Sequence, residues 1–289
     1  MNNPLRAAAW MAGAIASFSA MAIAARIVLS DLTPLQLMFY RNIVASGVLL
    51  CCLPLIGGHR LIVRQPATQL VRHSVHFAAQ YAWFVAISLI PLAQVFALEF
   101  TVPIWSLLFA ALLLDEKITP PRLAAVALGF LGSLIIVRPG LVPVEHGTVV
   151  MLIGAFAFGI AHTLTRKITL TDSPLSVLVL MNFLQLPMAA IAFIFDPIVP
   201  PAWQWPCLVS IAIAALSAHY CLTKALSLAP ANVVIPMDFL RLPLIALLAW
   251  WIFDEMLDLW VFAGATIMLA GIWINLRAER KRSSAPRLS

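Results

Sequence analysis

Ten apolar stretches, each long enough to cross a bilayer as a helix and nearly free of charge, constrain this chain more than any other feature of it. A helix rises about 1.5 Å per residue, so about 20 apolar residues cross ~30 Å of hydrocarbon. The stretches fall near residues 7–29, 35–56, 72–90, 92–114, 122–138, 147–165, 174–195, 203–226, 232–253 and 257–276. Short connections between them hold the helix breakers, among them Pro34, Gly57-Gly58, Pro91, Pro120-Pro121, Pro139-Gly140 and Pro200-Pro201. Composition points the same way: 63% of the 289 residues are apolar and 10% are charged, where about 25% charged is usual in soluble domains. Eighteen basic and 12 acidic side chains are too few to solvate a globule of this size. A soluble enzyme, a disordered chain and a nucleic-acid-binding protein are all excluded. The expected fold class is an all-α polytopic membrane protein with ten transmembrane helices.

Arg6 and the Ala22-Ile23-Ala24 run give the first stretch some likeness to a cleaved signal. It is longer than the roughly 7–15 residues of such a segment's apolar core, and so reads as a retained helix. The net charge of +6 reports orientation. With the N-terminus inside, 14 of the 18 basic residues fall on cytoplasmic segments, including Arg64, Arg72, Arg166, Lys167 and the tail. Only Arg26 and Arg138 fall outside, beside Asp31, Glu145, Asp196, Asp254, Glu255 and Asp258. This bias puts both termini in the cytoplasm of a cell with this protein in its plasma (inner) membrane. Cys51, Cys52, Cys207 and Cys221 lie in or near apolar segments without metal spacing and read as small buried hydrophobes.

The second half of the chain repeats the first. Laid over it with Tyr220 on Tyr81, the second half keeps one register that sets Ser227 on Ser88, Pro230 on Pro91, Asp238 on Glu99, Asp254-Glu255 on Asp115-Glu116, and Gly271 on Gly132. Shifting that register by a single position matches the earlier part, Arg166 with Arg26, Pro174 with Pro34 and Asn182 with Asn42. Each repeat holds five spans, an odd number, so the two insert upside down relative to each other. The boundaries drawn are 1–140 and 141–277 for the repeats and 278–289 for a basic cytoplasmic tail. Inverted repeats are the architecture of secondary transporters, with a substrate site near the midplane between the halves. Ala12, Ala16, Ala20 and Ala24 form a small-residue stripe expected to pack against a neighbouring helix.

The run from Pro91-Leu92-Ala93 through Phe100-Thr101-Val102-Pro103 to Asp115-Glu116-Lys117, then Gly129 and Gly132, resembles the fourth and fifth helices of EamA-type drug/metabolite transporters. Its second copy, from Pro230 to Asp254-Glu255 and Gly271, is similar, and Phe39-Tyr40-Arg41 resembles that family's second-helix arginine motif. The resemblance covers essentially the whole chain. It implies ten helices in two inverted five-helix repeats around a central cavity. The second repeat departs from the pattern, with Met181 opposite Arg41 and Leu242 opposite Pro103.

Charge at membrane depth is costly and marks function. Arg41, Glu99, Asp238 and Arg241 are such groups, and Arg241 shares a helix face with Asp238 three residues earlier. One reading has them neutralise one another, Asp238 with Arg241 and Arg41 with Glu99. The other has Arg41 and Arg241 clamp a carboxylate or phosphate on a substrate, with Glu99 and Asp238 as gates or proton carriers. Around them His76, Gln80, Tyr81 and Trp83 on the third span, and His219 and Tyr220 on the eighth, form a polar and aromatic set suited to binding an organic molecule. His73 and His162 are expected in interhelical hydrogen bonds, and the carboxylates at span ends in caps and bridges to basic residues. No phosphate-binding loop, HExxH, paired CxxC or GxSxG is present, so an ATP engine, a metal site and a serine nucleophile are not expected. No cofactor and no nucleic-acid partner is expected; the partners are a small-molecule substrate, membrane lipid and protons. The expected function is non-enzymatic: alternating-access transport of an amino-acid, nucleoside-like or cofactor-like metabolite. Proton coupling, exchange without protons, a membrane-embedded transferase and a non-transporting scaffold stay open as alternatives.

Overall fold

The computed structural model describes residues 4–56, 61–114, 119–228, 237–238 and 240–283. The helices are α1 (Pro4–Val28), α2 (Pro34–Ile56), α3 (Pro66–Leu89), α4 (Leu92–Glu99), α5 (Val102–Leu113), α6 (Pro120–Val137), α7 (His146–Ile168), α8 (Pro174–Phe195), α9 (Trp205–Leu228), α10 (Arg241–Phe253) and α11 (Leu259–Ser283). Proline opens α2, α3, α6 and α8, where its missing N–H costs nothing and its fixed φ suits a first turn. Taking α4 with α5 as one span, the helices account for the ten spans of an all-α membrane protein in two inverted five-helix repeats. Residues 229–236, which include the start of the ninth span, and Asp115-Glu116-Lys117 lie outside the described residues, as does the end of the tail.

The halves interlock. Extensive packings join α1 to α9, α6 to α11, α3 to α7 and α2 to α8, and α4 meets α10. Span one on span eight and span six on span three are the same contact, exchanged between repeats; the remaining pairs join repeat-mates. A pseudo-twofold axis therefore runs through the bundle, and the core belongs to both halves. Where α6 crosses α11 the backbones nearly touch: a Cβ on Gly132 would lie 2.5 Å from the carbonyl oxygen of Gly264, and one on Gly264 equally close to that of Gly132. Glycine is the residue that permits such an approach.

Two expectations about packing are corrected. Ala12, Ala16 and Ala20 face outward, and α1 is buried instead through Met11, Ala14, Ala22 and Ala25. The helix is rich in alanine all round, so spacing alone selects more than one stripe. The third helix begins at Pro66 rather than near Arg72, because the segment between them is polar yet belongs to the bundle. Its inner face carries Gln69, Arg72, His73 and His76, all at most 5% exposed, whereas Leu70, Val71, Tyr81 and Leu89 face outward. This is an inside-out amphipathic helix, polar toward the protein and apolar toward lipid.

The two ends of the bundle are sealed differently. At the end remote from the termini, Ile87, Ile90, Leu92 and Phe96 are fully buried. Arg26 there pairs with Glu255 at 2.7 Å and donates to the carbonyls of Ile87 and Ile90 at the end of α3. Glu255 also accepts the N–H of Leu92 at 2.7 Å, so it caps α4 and bridges a basic residue at once. Arg138 pairs with Asp258 nearby, and Gln204 donates to Asp31 at 2.7 Å. At the terminus-bearing end, Asp172 accepts the N–H groups of Arg64 and Gln65 and the side-chain amide of Gln69. Gln65 and Gln204 are mates in the repeat register, as are Thr171 and Asp31, and Gln65 Nε2 donates to Thr171 Oγ1 at 2.8 Å, the counterpart of Gln204 with Asp31.

Candidate functional site

A cavity of about 340 Å³ lies between the two repeats, within the range of small-ligand pockets. Its walls include repeat-mates from both halves: Phe18 with Phe158, Arg41 with Met181, His76 with Ala215, Gln80 with His219, Trp83 with Leu222, Glu99 with Asp238, and Val102 with Arg241. The cavity thus sits on the pseudo-twofold axis, and chemistry differs within most pairs. Its cations come from opposite members of their pairs, Arg41 in the first repeat and Arg241 in the second. From this centre it extends toward the terminus-bearing end, where Arg72 of α3 and Thr165 of α7 line it.

The centre is built on a broken helix. The N–H groups of Phe100 and Thr101 bond three residues back, to Ala97 and Leu98. Pro103 follows without an N–H to continue the ladder, so the span divides into α4 and α5. Glu99, the last residue of α4, is thereby held at the break. In the second repeat α10 starts at Arg241, the mate of Val102 at which α5 starts. Discontinuous helices of this kind mark the binding region of secondary transporters.

Arg241 is the hub. Its guanidinium donates to Glu99 Oε1 at 3.0 Å and lies 3.4 Å from Asp238 Oδ2. It also stacks over the rings of Phe18 and Phe96, at 5.0 and 4.8 Å from their centroids. Trp83 Nε1 donates to the second oxygen of Glu99 at 3.0 Å. Arg41 has no such acid. It donates to Asn42 and Gln80 at 2.9 and 3.1 Å and lies over Phe84, and no carboxylate among the described residues is within ion-pair distance of it. One reading of the sequence pairs Asp238 with Arg241 and Arg41 with Glu99. In the structure both carboxylates converge on Arg241, because the repeat axis brings the mates Glu99 and Asp238 together at the same cation.

Of the residues singled out from the sequence, Arg41, His76, Gln80, Trp83, Glu99, His219, Asp238 and Arg241 all line the cavity. Tyr81 and Tyr220 do not. They are 39% and 54% exposed, one residue from Gln80 and His219 and hence about 100° around their helices. Tyr220 packs against Trp10 and Lys224 on the outer surface. The His73 imidazole bonds within its own helix, to Arg72 and Gln69, while its backbone carbonyl accepts from Gln185 of α8 at 3.2 Å. His162 faces the cavity beside Phe158.

Sequence reasoning missed Arg72 by assigning it to a cytoplasmic segment. It is 5% exposed, and its Nε donates to Thr165 Oγ1 at 2.8 Å. The available signal was the three- and four-residue spacing of Gln69, Arg72, His73, His76 and Gln80, which puts them on one helix face.

Comparisons with known proteins agree with this architecture. The chain is 26% identical to a riboflavin transporter of Brucella anthropi over 247 residues, covering 83% of this chain and 87% of that one. It is 29% identical to a riboflavin transporter of Rhizobium johnstonii, over 71% of this chain and 68% of the relative. An S-adenosylmethionine uptake transporter of Rickettsia bellii is 24% identical over 95% and 94% of the two chains. A protein of known crystal structure shares the fold, with a TM-score of 0.65 and 18% identity over 96% of this chain and 99% of that one. The model of the EamA-like transporter family matches twice, over residues 5–138 and 146–277. The chain belongs to the EamA-like transporter family and is a membrane transporter, not an enzyme.

Proposed function

We propose that this protein moves a small organic metabolite across the plasma (inner) membrane by alternating access, with both termini in the cytoplasm. The observation that carries the reading is the position of the cavity: on the axis between two inverted repeats, at the broken helices, with one end of the bundle locked. Rocking one repeat against the other around a fixed centre exposes such a cavity to either side in turn. The end sealed by Arg26 and Glu255 is the outer one on the basis of the positive-inside bias, which makes the present conformation closed to the outside.

The walls suit a flat heteroaromatic body carrying polar groups. Phe18, Trp83, Phe84 and Phe158 supply ring faces and edges, while Gln80, Asn182 and the imidazoles of His76, His162 and His219 supply hydrogen bonds. Riboflavin and S-adenosylmethionine, for which relatives are named, both have that form. Glu99 and Asp238 share Arg241 and act as the gate of the central site; protonating either one releases its hold on the guanidinium, which couples protons to the cycle. Exchange without protons is the second reading, in which the shared cation Arg241 keeps both carboxylates charged throughout the cycle.

The test uses purified protein in liposomes with a pH dye trapped inside and a library of labelled flavins, nucleosides and amino acids outside. Solute-dependent proton movement that Glu99→Gln or Asp238→Asn flattens supports coupling. Labelled-solute exchange with no proton signal selects the exchanger. No translocation of any kind would defeat the transport reading.

A further inference from the structure

The charges around the cavity do not balance. Arg41, Arg72 and Arg241 face two carboxylates, Glu99 and Asp238, both of them committed to Arg241. Arg41 and Arg72 are 3% and 5% exposed, and among the described residues neither lies within ion-pair distance of an acid. One terminal nitrogen of Arg72 bonds His73 and its Nε bonds Thr165; the other terminal nitrogen has no acceptor among the described residues. A buried guanidinium with unspent donors is expensive unless something anionic joins it.

Arg72 is also held in place by a continuous relay. Asp172 accepts from Gln69 Nε2 at 2.9 Å, Gln69 Oε1 accepts from His73 Nε2 at 3.0 Å, and His73 Nδ1 accepts from Arg72 at 2.8 Å. Arg72 must donate in the last bond, which fixes His73 as the neutral tautomer with its proton on Nε2. The chain begins at a carboxylate in the end latch and finishes at a cation in the cavity wall. That is a built site on a rigid helix. His76, His162 and His219 line the same cavity.

We infer that Arg72, with Arg41, forms an anion subsite, and that the transported solute carries a phosphate or carboxylate which Arg72 engages at the terminus-bearing end of the cavity. The inference rests on the transporter reading and deepens it to an anionic substrate class. The aromatic centre takes the flat body, and the single excess positive charge takes the anionic group, so the loaded cavity is neutral with a monoanion while the empty one is charged.

The test measures binding, apart from transport. Purified protein in nanodiscs of zwitterionic phosphatidylcholine is titrated by tryptophan fluorescence with riboflavin 5′-phosphate, riboflavin and inorganic phosphate at fixed ionic strength. The phosphorylated flavin is expected to bind about tenfold or more tightly than riboflavin, as a charge-assisted pair adds over a neutral one. Arg72→Gln should bring the two within about twofold, while exposed Lys167→Gln leaves the preference intact. Arg72→Lys keeps the positive charge while losing the bond to Thr165 and should retain a preference for the phosphorylated flavin, which separates anion binding from helix positioning even if Arg72→Gln does not fold. If neither flavin binds, saturable inorganic phosphate binding lost in Arg72→Gln supports the subsite. Equal affinities, an unchanged preference in Arg72→Gln, or no response to phosphate by any probe would overturn it. Loss of phosphate binding when phosphatidylglycerol is added would reassign the subsite to a lipid headgroup and overturn the substrate assignment. Liposome transport of a neutral solute alongside equal affinities would sink the anion subsite alone and leave the transporter reading standing.

Discussion

At the scale of single residues, the distribution of partners decides which charges are structural and which are available. Arg241 meets two carboxylates and two ring faces, which neutralise its charge, while its Nε is buried without a hydrogen-bond partner among the described residues. Arg41 and Arg72 keep donors free. Asp172 is the residue whose ionisation reports on the terminus-bearing latch. Partial burial raises its carboxyl, but hydrogen bonds from Gln69, Arg64, Thr171 and Gln65 outweigh that and hold it below the usual 3.8. A carboxyl lowered on folding stabilises fully above its unfolded value and loses that contribution as pH falls through the folded one. Wild-type protein is therefore expected to melt at a higher temperature than Asp172→Asn at neutral pH. The gap should close only on acidification below about pH 4. Thermal unfolding of both proteins across pH checks this, and a gap of constant size down to about pH 2 would reject it.

At the scale of elements, close approach and interruption do the positioning. The α4–α5 break at Phe100-Thr101 fixes Glu99 opposite Arg241, and it arises where Pro103 cannot donate. The α6–α11 crossing depends on two facing glycines whose added Cβ atoms would strike backbone oxygen. Backbone cannot yield as a flexible side chain does, so the helices must separate and their packing contacts weaken together. Gly264→Val is expected to destabilise by at least about 3 kcal/mol, at the high end of overpacking costs. Denaturation in detergent measures it; a variant within about 0.5 kcal/mol of wild type, the range of neutral surface changes, would show that the crossing is loose. By contrast Gly47 has open space beside it, and a Cβ there meets nothing.

At the scale of the whole molecule, one end is locked by ion pairs between the repeats and the other carries the cavity. Arg26 joins α1, the end of α3 and Glu255 beyond α10, and Glu255 in turn holds α4. Removing the charge of Glu255 leaves Arg26 without its acid and weakens this end while the Asp172 latch at the other end is untouched, which shifts the population toward opening here. In a background lacking the four native cysteines, Ala86→Cys, fully buried in α3, should react with a membrane-impermeant maleimide faster when Glu255→Gln is added. An unchanged rate would remove Glu255 from the lock.

The sequence by itself determined the membrane class, the ten spans, the two inverted repeats and eight of the residues that line the cavity. Hydrophobic length and the register of a repeat are one-dimensional properties, and they identify Glu99 and Asp238 as repeat-mates at membrane depth. Only the tertiary structure decided who pairs with whom. Ion pairing depends on distances across helices, so Glu99 went to Arg241 rather than to Arg41. Facing depends on the angle around a helix, so Gln80 lines the cavity while its neighbour Tyr81 faces lipid. Arg72 was misassigned because mean hydropathy averages over a helix's faces: a polar face turned inward and a polar cytoplasmic segment have the same composition. The packing of α3 against α7, which no local pattern specifies, turned that arginine from a surface charge into a wall of the site.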